Sequence, residues 1–155
     1  MIEIINCRDY AQGLEAAMRY IHGKWGAEGN FNSYLDCARN ASPQTGSIPQ
    51  FFLMLRDGAI IGCYGLVING MISRHDLHPW FCCLFVEPDH RGNRYCVQMF
   101  DHARNQLAET PFSTLYLVTE HDALYERFGW TRIEDGFSMS GERMRLYKLA
   151  IHDAP

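Results

Sequence analysis

The chain has 155 residues, 47% of them hydrophobic and 13% aromatic, a balance that buries a substantial core and argues against disorder. Its formal net charge of −4 is dispersed, with no basic stripe, which sets nucleic acid aside as a partner and leaves a small cationic molecule as the better match. The amino terminus lacks a signal peptide's basic start and long apolar core, and no apolar run is long enough to span a bilayer. A soluble cytoplasmic protein is expected, with one domain over residues 1–155, no membrane attachment, and a monomeric or homodimeric state.

A first strand is predicted at residues 2–5. Leu14, Ala17, Met18 and Ile21 then recur at helical spacing, and Gly23 and Gly26 interrupt that helix. Asn30 is placed to cap a second helix whose apolar stripe is Phe31, Tyr34, Leu35 and Ala38. Residues 41–49, with two prolines and Gly46, read as a loop. Strands follow at residues 51–55 and 60–68, joined by Asp57-Gly58, because glycine supplies the positive φ that a tight hairpin needs. The polar excursion 73–79 leads into a strand at 80–86 with bulky residues on both faces, as in the middle of a covered sheet. A helix is predicted over residues 93–109, stopped by Pro111, then a short strand at 115–118. Asp122 is placed to cap a helix through Phe128 that Gly129 ends. Strands at 130–133 and 144–149 flank a long loop, 134–143. The order is β-α-α-β-β-β-α-β-α-β-β, an α/β (α+β) fold in which helices cover a mixed sheet.

The six cysteines form no C-x-x-C pair, and Cys82 and Cys83 should point to opposite faces of their strand. Reduced, mostly buried thiols are expected, and no metal.

The most specific local feature is Leu84 to Val97, LFVEPDHRGNRYCV, a strand that turns into a helix through Arg91-Gly92-Asn93-Arg94. A helix start gathers unpaired N–H groups and partial positive charge, and a turn leading into it aims further amides at the same point. Such a stretch is either an anion cradle or an ordinary strand-loop-helix connection, and spacing alone leaves both open.

Together with LYLVTEHDALYERFGW downstream, the segment from Trp80 to Trp130 resembles the GCN5-related N-acetyltransferase (GNAT) superfamily. That superfamily carries R/Q-x-x-G-x-G/A after its fourth strand and Tyr-Glu-(basic)-x-Gly-(Phe/Trp) after its fifth. Arg91 takes the first position of one motif, with Arg94 and Cys96 at its two small-residue positions, and Tyr125-Glu126-Arg127-Phe128-Gly129-Trp130 matches the other. The element order agrees, over roughly residues 49–149. The resemblance implies a mixed, mostly antiparallel sheet of about six to seven strands with about four helices. It also implies acetyl-CoA as cosubstrate, with its pyrophosphate on the amides of Gly92, Asn93, Arg94, Tyr95 and Cys96, near Arg91. The backbone of Leu84, Phe85 and Val86 would pair with the pantetheine arm, and an amide near Phe85 or Val86 would stabilise the oxyanion. Tyr125 would protonate the leaving thiolate as general acid, its alternative being a core aromatic beside Phe128.

Arg94 departs from the motif, since glycine lets backbone come close to phosphates and arginine does not. Its side chain would swing outward, where a guanidinium offers phosphate a charged fork. Cys96 is small enough to replace alanine; a thiol made reactive by the helix start is the lesser reading.

An attacking amine must lose a proton, and Arg74 to Trp80 (RHDLHPW) offers His75, Asp76 and His78 beside the strand that would line the thioester. His78 has a suitable unperturbed pKa, and Asp76 would orient a histidine or attract an amine; a solvated loop is the bland alternative. Trp25, Glu28, Tyr34 and Asp36 lie in the helical pair that shapes the acceptor cleft in many superfamily members, and the 134–143 loop, with Phe137 and Met139, is a candidate further wall. The expected activity is N-acetyl transfer to a primary amine, of a small molecule, by direct attack in a ternary complex. A non-catalytic acyl-CoA-binding sensor and an interaction domain binding no coenzyme are the alternatives.

Overall fold

A computed structural model describes residues 1–153. Seven strands form one sheet in the order β1-β2-β3-β4-β5-β7-β6. They are β1 (Ile2–Asn6), β2 (Gln50–Arg56), β3 (Ala59–Val67), β4 (Trp80–Val86), β5 (Thr114–Thr119), β6 (Thr131–Phe137) and β7 (Arg143–Ala150). All neighbours are antiparallel except β4 and β5, which run parallel. Helices α1 (Leu14–Trp25) and α2 (Phe31–Arg39) pack on one face and α3 (Tyr95–Leu107) on the other. No helix of the described residues is long and apolar enough to cross a membrane.

The mixed, mostly antiparallel sheet is the one expected, but it carries three α-helices instead of about four. The predicted helix before Gly129 is a single 3-10 turn, Tyr125–Phe128. Asp122 faces Arg145 instead of capping that turn, Ala123 adopts a left-handed φ of 58°, and Gly129 closes the turn at φ 89°. Two further expectations fail for local reasons. The helix α1 runs through Gly23, which is solvent-exposed, and ends at Gly26, whose missing Cβ leaves room for the His22 ring. The Asn30 side chain makes no cap for α2; it turns back to accept from the Ala27 amide at 2.9 Å and to meet His22 Nε2 at 2.8 Å. The predicted long loop between the last strands shrinks to a short connection, because β6 continues to Phe137 across a bulge.

The larger core lies between the sheet and α3. Tyr64 stacks between Phe52 (4.9 Å) and Phe81 (4.7 Å) across three strands, and its hydroxyl meets His102 Nδ1 of α3 at 2.7 Å. Burial lowers the His102 pKa. With the folded value below the unfolded one, the unfolded chain takes up the proton first as pH falls. Stability that is full above about pH 6.5 is therefore expected to be lost as pH drops through the folded value. Urea midpoints measured from about pH 7.5 to about pH 5 should fall less steeply in His102→Gln than in the natural chain.

Two irregularities in β4 position everything that follows. Cys83 has φ 56°, and four residues of β4 (Cys82 to Phe85) span what three residues of β3 (Cys63 to Gly65) span, a β-bulge. The bulge cancels the alternation expected of Cys82 and Cys83, and the neighbouring Cys83, together with burial, holds the Cys82 thiol well up. Beyond it, β4 loses its other neighbour: β4 and β5 share the single register pair Trp80↔Tyr116, at their amino-terminal ends. The carboxyl-terminal half of β4 therefore borders a split in the sheet.

Candidate active site

The split opens into a cavity of about 340 Å³. Leu84, Phe85 and Val86 form one shore, Tyr125 and Phe128 the other, and Arg91, Gly92, Arg94, Tyr95 and Cys96 close one end. Ten residues expected to act together from sequence are thus nearly all on one wall or another; Asn93 is the exception, its side-chain amide donating to the His90 carbonyl at 3.0 Å. His90, Phe100 and Leu124 also line the space and were not anticipated. Their positions in the two motif segments are the only signal that marked them.

The strand shore offers backbone groups with no strand to pair with. The Glu87 amide donates to Ile61 O at 2.8 Å, and Phe85 pairs with Cys63, so these two residues turn their polar backbone groups toward β3. By alternation Leu84 and Val86 turn theirs toward the split. Both carbonyls accept from side chains of this chain: Val86 O from Arg91 Nε at 2.9 Å, and Leu84 O from the Trp25 indole Nε1 at 3.2 Å. The Arg91 guanidinium also sits 5.3 Å over the Phe85 ring.

The loop end owes its shape to backbone conformation. Gly92 has φ 84° and Arg94 has φ 57°, ψ 27°, so Arg94 holds the left-handed conformation that glycine adopts without penalty. No side chain caps α3, and its first turn holds no acidic residue, which leaves the amides there facing the cavity end. Exposed and making no hydrogen bond at its guanidinium among the described residues, Arg94 is free to reach a phosphate. Substituting Arg94→Gly should release the left-handed strain at some cost in chain entropy, raising stability by about 0.5–1 kcal/mol in a urea titration. Burial pushes the Cys96 thiol up despite the helix start and Arg94, which keeps it protonated and favours the steric role over a reactive one.

On the far shore Tyr125 is 8% exposed, its ring held among Phe100, Trp130 and Tyr147 at 5.8–6.3 Å. Burial pushes its phenol up to about 12.

The predicted acceptor residues are scattered. His78 lies edge-on to Phe112, 5.9 Å between rings, at the amino-terminal ends of β4 and β5 and so at the opposite end of β4 from the cavity. Asp76 is held by a bidentate contact with Arg74, which lowers its carboxyl to about 2 and makes it a feeble base. Arg74 also binds Glu134. His75 meets the Asn69 amide. None of His75, Asp76 and His78 lines the cavity, nor does the exposed Glu28. Trp25 reaches the split from the α1 side through Leu84. It is steadied by its neighbour Lys24, whose ammonium pairs with Glu87 at 2.8 Å while Tyr20 donates to the same carboxylate at 2.7 Å.

A family profile described as "Acetyltransferase (GNAT) domain" matches residues 47–132. No curated protein matches the chain. Among solved structures, an aminoglycoside 6′-N-acetyltransferase complexed with coenzyme A superposes with a TM-score of 0.72 at 13% identity, over 100% of this chain and 99% of that one. Mutant forms of the spermidine/spermine N-acetyltransferase SpeG from Vibrio cholerae superpose with a TM-score of 0.65 at 13% identity, over 97% of this chain and 95% of that one. At such identities the likeness is one of fold.

Proposed function

Since the chain belongs to the GNAT acetyltransferase family, we propose that it transfers the acetyl group of acetyl-CoA to a primary amine of a small molecule, by direct attack in a ternary complex. The observation that carries this reading is the single cavity joining an open helix start, an unpaired strand edge and a buried, protonated tyrosine. The amides at the start of α3 would hold the pyrophosphate, with Arg91 and Arg94 adding charge. The backbone of Leu84 and Val86 would receive the pantetheine arm. Of the two strand amides that sequence left open for the oxyanion, Val86 is favoured, because Phe85 is committed to β3.

In the transfer the amine nitrogen bonds to the thioester carbon, the carbon–sulfur bond breaks, and sulfur leaves with the electron pair. Tyr125 meets that developing charge. With its phenol near 12, full proton transfer to a thiolate of ordinary pKa is uphill by about 5 kcal/mol, so donation of a hydrogen bond is the larger part of its role. Among the residues lining the cavity there is no carboxylate and one imidazole, His90, so the amine's proton would pass to water at the open side or to His90. The acetyltransferases of like fold act on an aminoglycoside and on polyamines, which supports a small-molecule acceptor.

The reading is tested by thermal unfolding with and without acetyl-CoA, since a ligand bound only by the folded state must raise the midpoint. Release of free thiol in an amine screen then follows. A raised midpoint with thiol release is the expected result. A raised midpoint with no release by any amine would favour the non-catalytic acyl-CoA sensor, which Arg94 in place of the loop glycine keeps in view. An unmoved midpoint would remove both.

A further inference from the structure

The hydrogen bond from Trp25 to Leu84 joins residues 59 apart in sequence and lies where the sheet has lost a strand. Along β4 past the bulge, the edge toward β5 presents Leu84 and Val86, whose carbonyls need donors. A pantetheine arm docking as a further strand would supply amide N–H groups to that edge. Trp25 supplies an indole N–H to it already. The side chain is 51% exposed, so it is not packed into place by a core. What fixes its backbone is the last turn of α1, tied to the end of β4 by Lys24 and Tyr20 on Glu87 and to the next loop by His22. The helix is anchored and only the indole is left to turn.

Resting on the coenzyme reading above, we propose that Trp25 is a strand-edge placeholder: its indole N–H occupies the Leu84 carbonyl until the coenzyme's arm takes that carbonyl and turns the ring toward the acceptor side. Trp25 thereby sets both coenzyme affinity and the wall that an incoming amine meets. The contact is specific to an N–H donor on an aromatic ring at this position, so phenylalanine keeps the bulk and removes the competition.

The test is titration of the natural chain and Trp25→Phe with two probes, coenzyme A and its nucleotide half, 3′-phosphoadenosine 5′-diphosphate, which lacks the arm. Affinities are read by calorimetry, and the emission of Trp25 by difference between the two proteins. The other tryptophans, Trp80 and Trp130, are buried and serve as a constant background. Coenzyme A is expected to bind Trp25→Phe about two- to tenfold more tightly, the worth of one net hydrogen bond no longer displaced. The nucleotide should bind both proteins equally. Emission from Trp25 should change with coenzyme A and stay constant with the nucleotide. Equal or weaker coenzyme A binding by Trp25→Phe, or emission that ignores the arm, would overturn the placeholder while leaving the coenzyme reading in place. Failure of both probes to bind either protein would instead remove the coenzyme reading, and the placeholder with it. An unfolding scan of Trp25→Phe guards the comparison: losing the same hydrogen bond from the free protein predicts a slightly lowered midpoint, and coenzyme A should narrow the gap to the natural chain.

Discussion

Phenylalanine at position 125 should leave coenzyme A affinity nearly unchanged and lower turnover by about a hundredfold, the lower end of what a positioned acid contributes. The ring of Tyr125 is held on several sides by aromatic neighbours, so the substitution keeps the wall of the cavity and removes only the hydroxyl. Steady-state rates at saturating acetyl-CoA, with coenzyme affinity measured separately, give the split between the two effects. A turnover equal to that of the natural chain would strip Tyr125 of its role and return it to the core aromatics. The pH dependence adds an independent check. With its phenol raised to about 12, Tyr125 stays protonated throughout the neutral and mildly alkaline range. Activity should therefore show no alkaline loss belonging to this residue until pH approaches that value, and any earlier limb must persist in kind when another group is responsible.

The largest expected loss of stability comes from one methyl group at Gly62. This residue faces Val86 across the β3–β4 ladder, and a Cβ there would lie 2.6 Å from the Phe85 carbonyl oxygen. The obstructing atom is backbone, so no side-chain rotation relieves it, and the strands must part. Gly62→Ala is expected to cost about 2–3 kcal/mol in urea unfolding, and to weaken coenzyme A binding because the displaced strand is the cavity's own shore. Gly141→Ala is the control: its φ of 84° strains any other residue, but nothing stands within 4 Å, so a loss of only about 1–2 kcal/mol is expected. Equal losses in the two variants would show that the contact at Phe85 is not the cause.

Local chemistry was legible wherever one residue type has one physical answer. Asp57 and Gly58 both take positive φ between β2 and β3, as a tight hairpin demands, and the bounds of β4 agree with its apolar run. The loop and the tyrosine motif come to one cavity because parallel β4 and β5 set the segments that follow them side by side. What failed depended on distant partners. Nothing in two adjacent cysteines announces a left-handed residue, yet Cys83 adopts one to make the bulge. Asn30 reads as a cap until His22, in the last turn of α1, claims its side chain. Asp76 reads as a free carboxylate until Arg74 is seen to hold it, and His78 reads as near the thioester only if the length of β4 is ignored. The contact of Trp25 with Leu84 has no sequence signal at all, because it joins a helix end to a strand edge that is free only by virtue of the split.

That split has a consequence for how the protein comes apart. One slab of sheet, β1 to β4, and another, β5 to β7, meet at Trp80 and Tyr116, at a hydrogen bond from the Tyr116 amide to Pro79 O, through the side chains of α3 beneath, and where the β3–β4 connection pairs with the end of β6 (Ile72 with Ser138, the Ser73 amide on Phe137 O). Each slab is internally laddered, whereas β4 and β5 themselves are paired at one place only. Amide hydrogen exchange should accordingly resolve two cooperative blocks, with amides beside the seam opening at lower free energy than those in the middle of either slab. A molecule that grips Leu84 on one side and Tyr125 on the other would act as the missing stitch, slowing exchange in both blocks together.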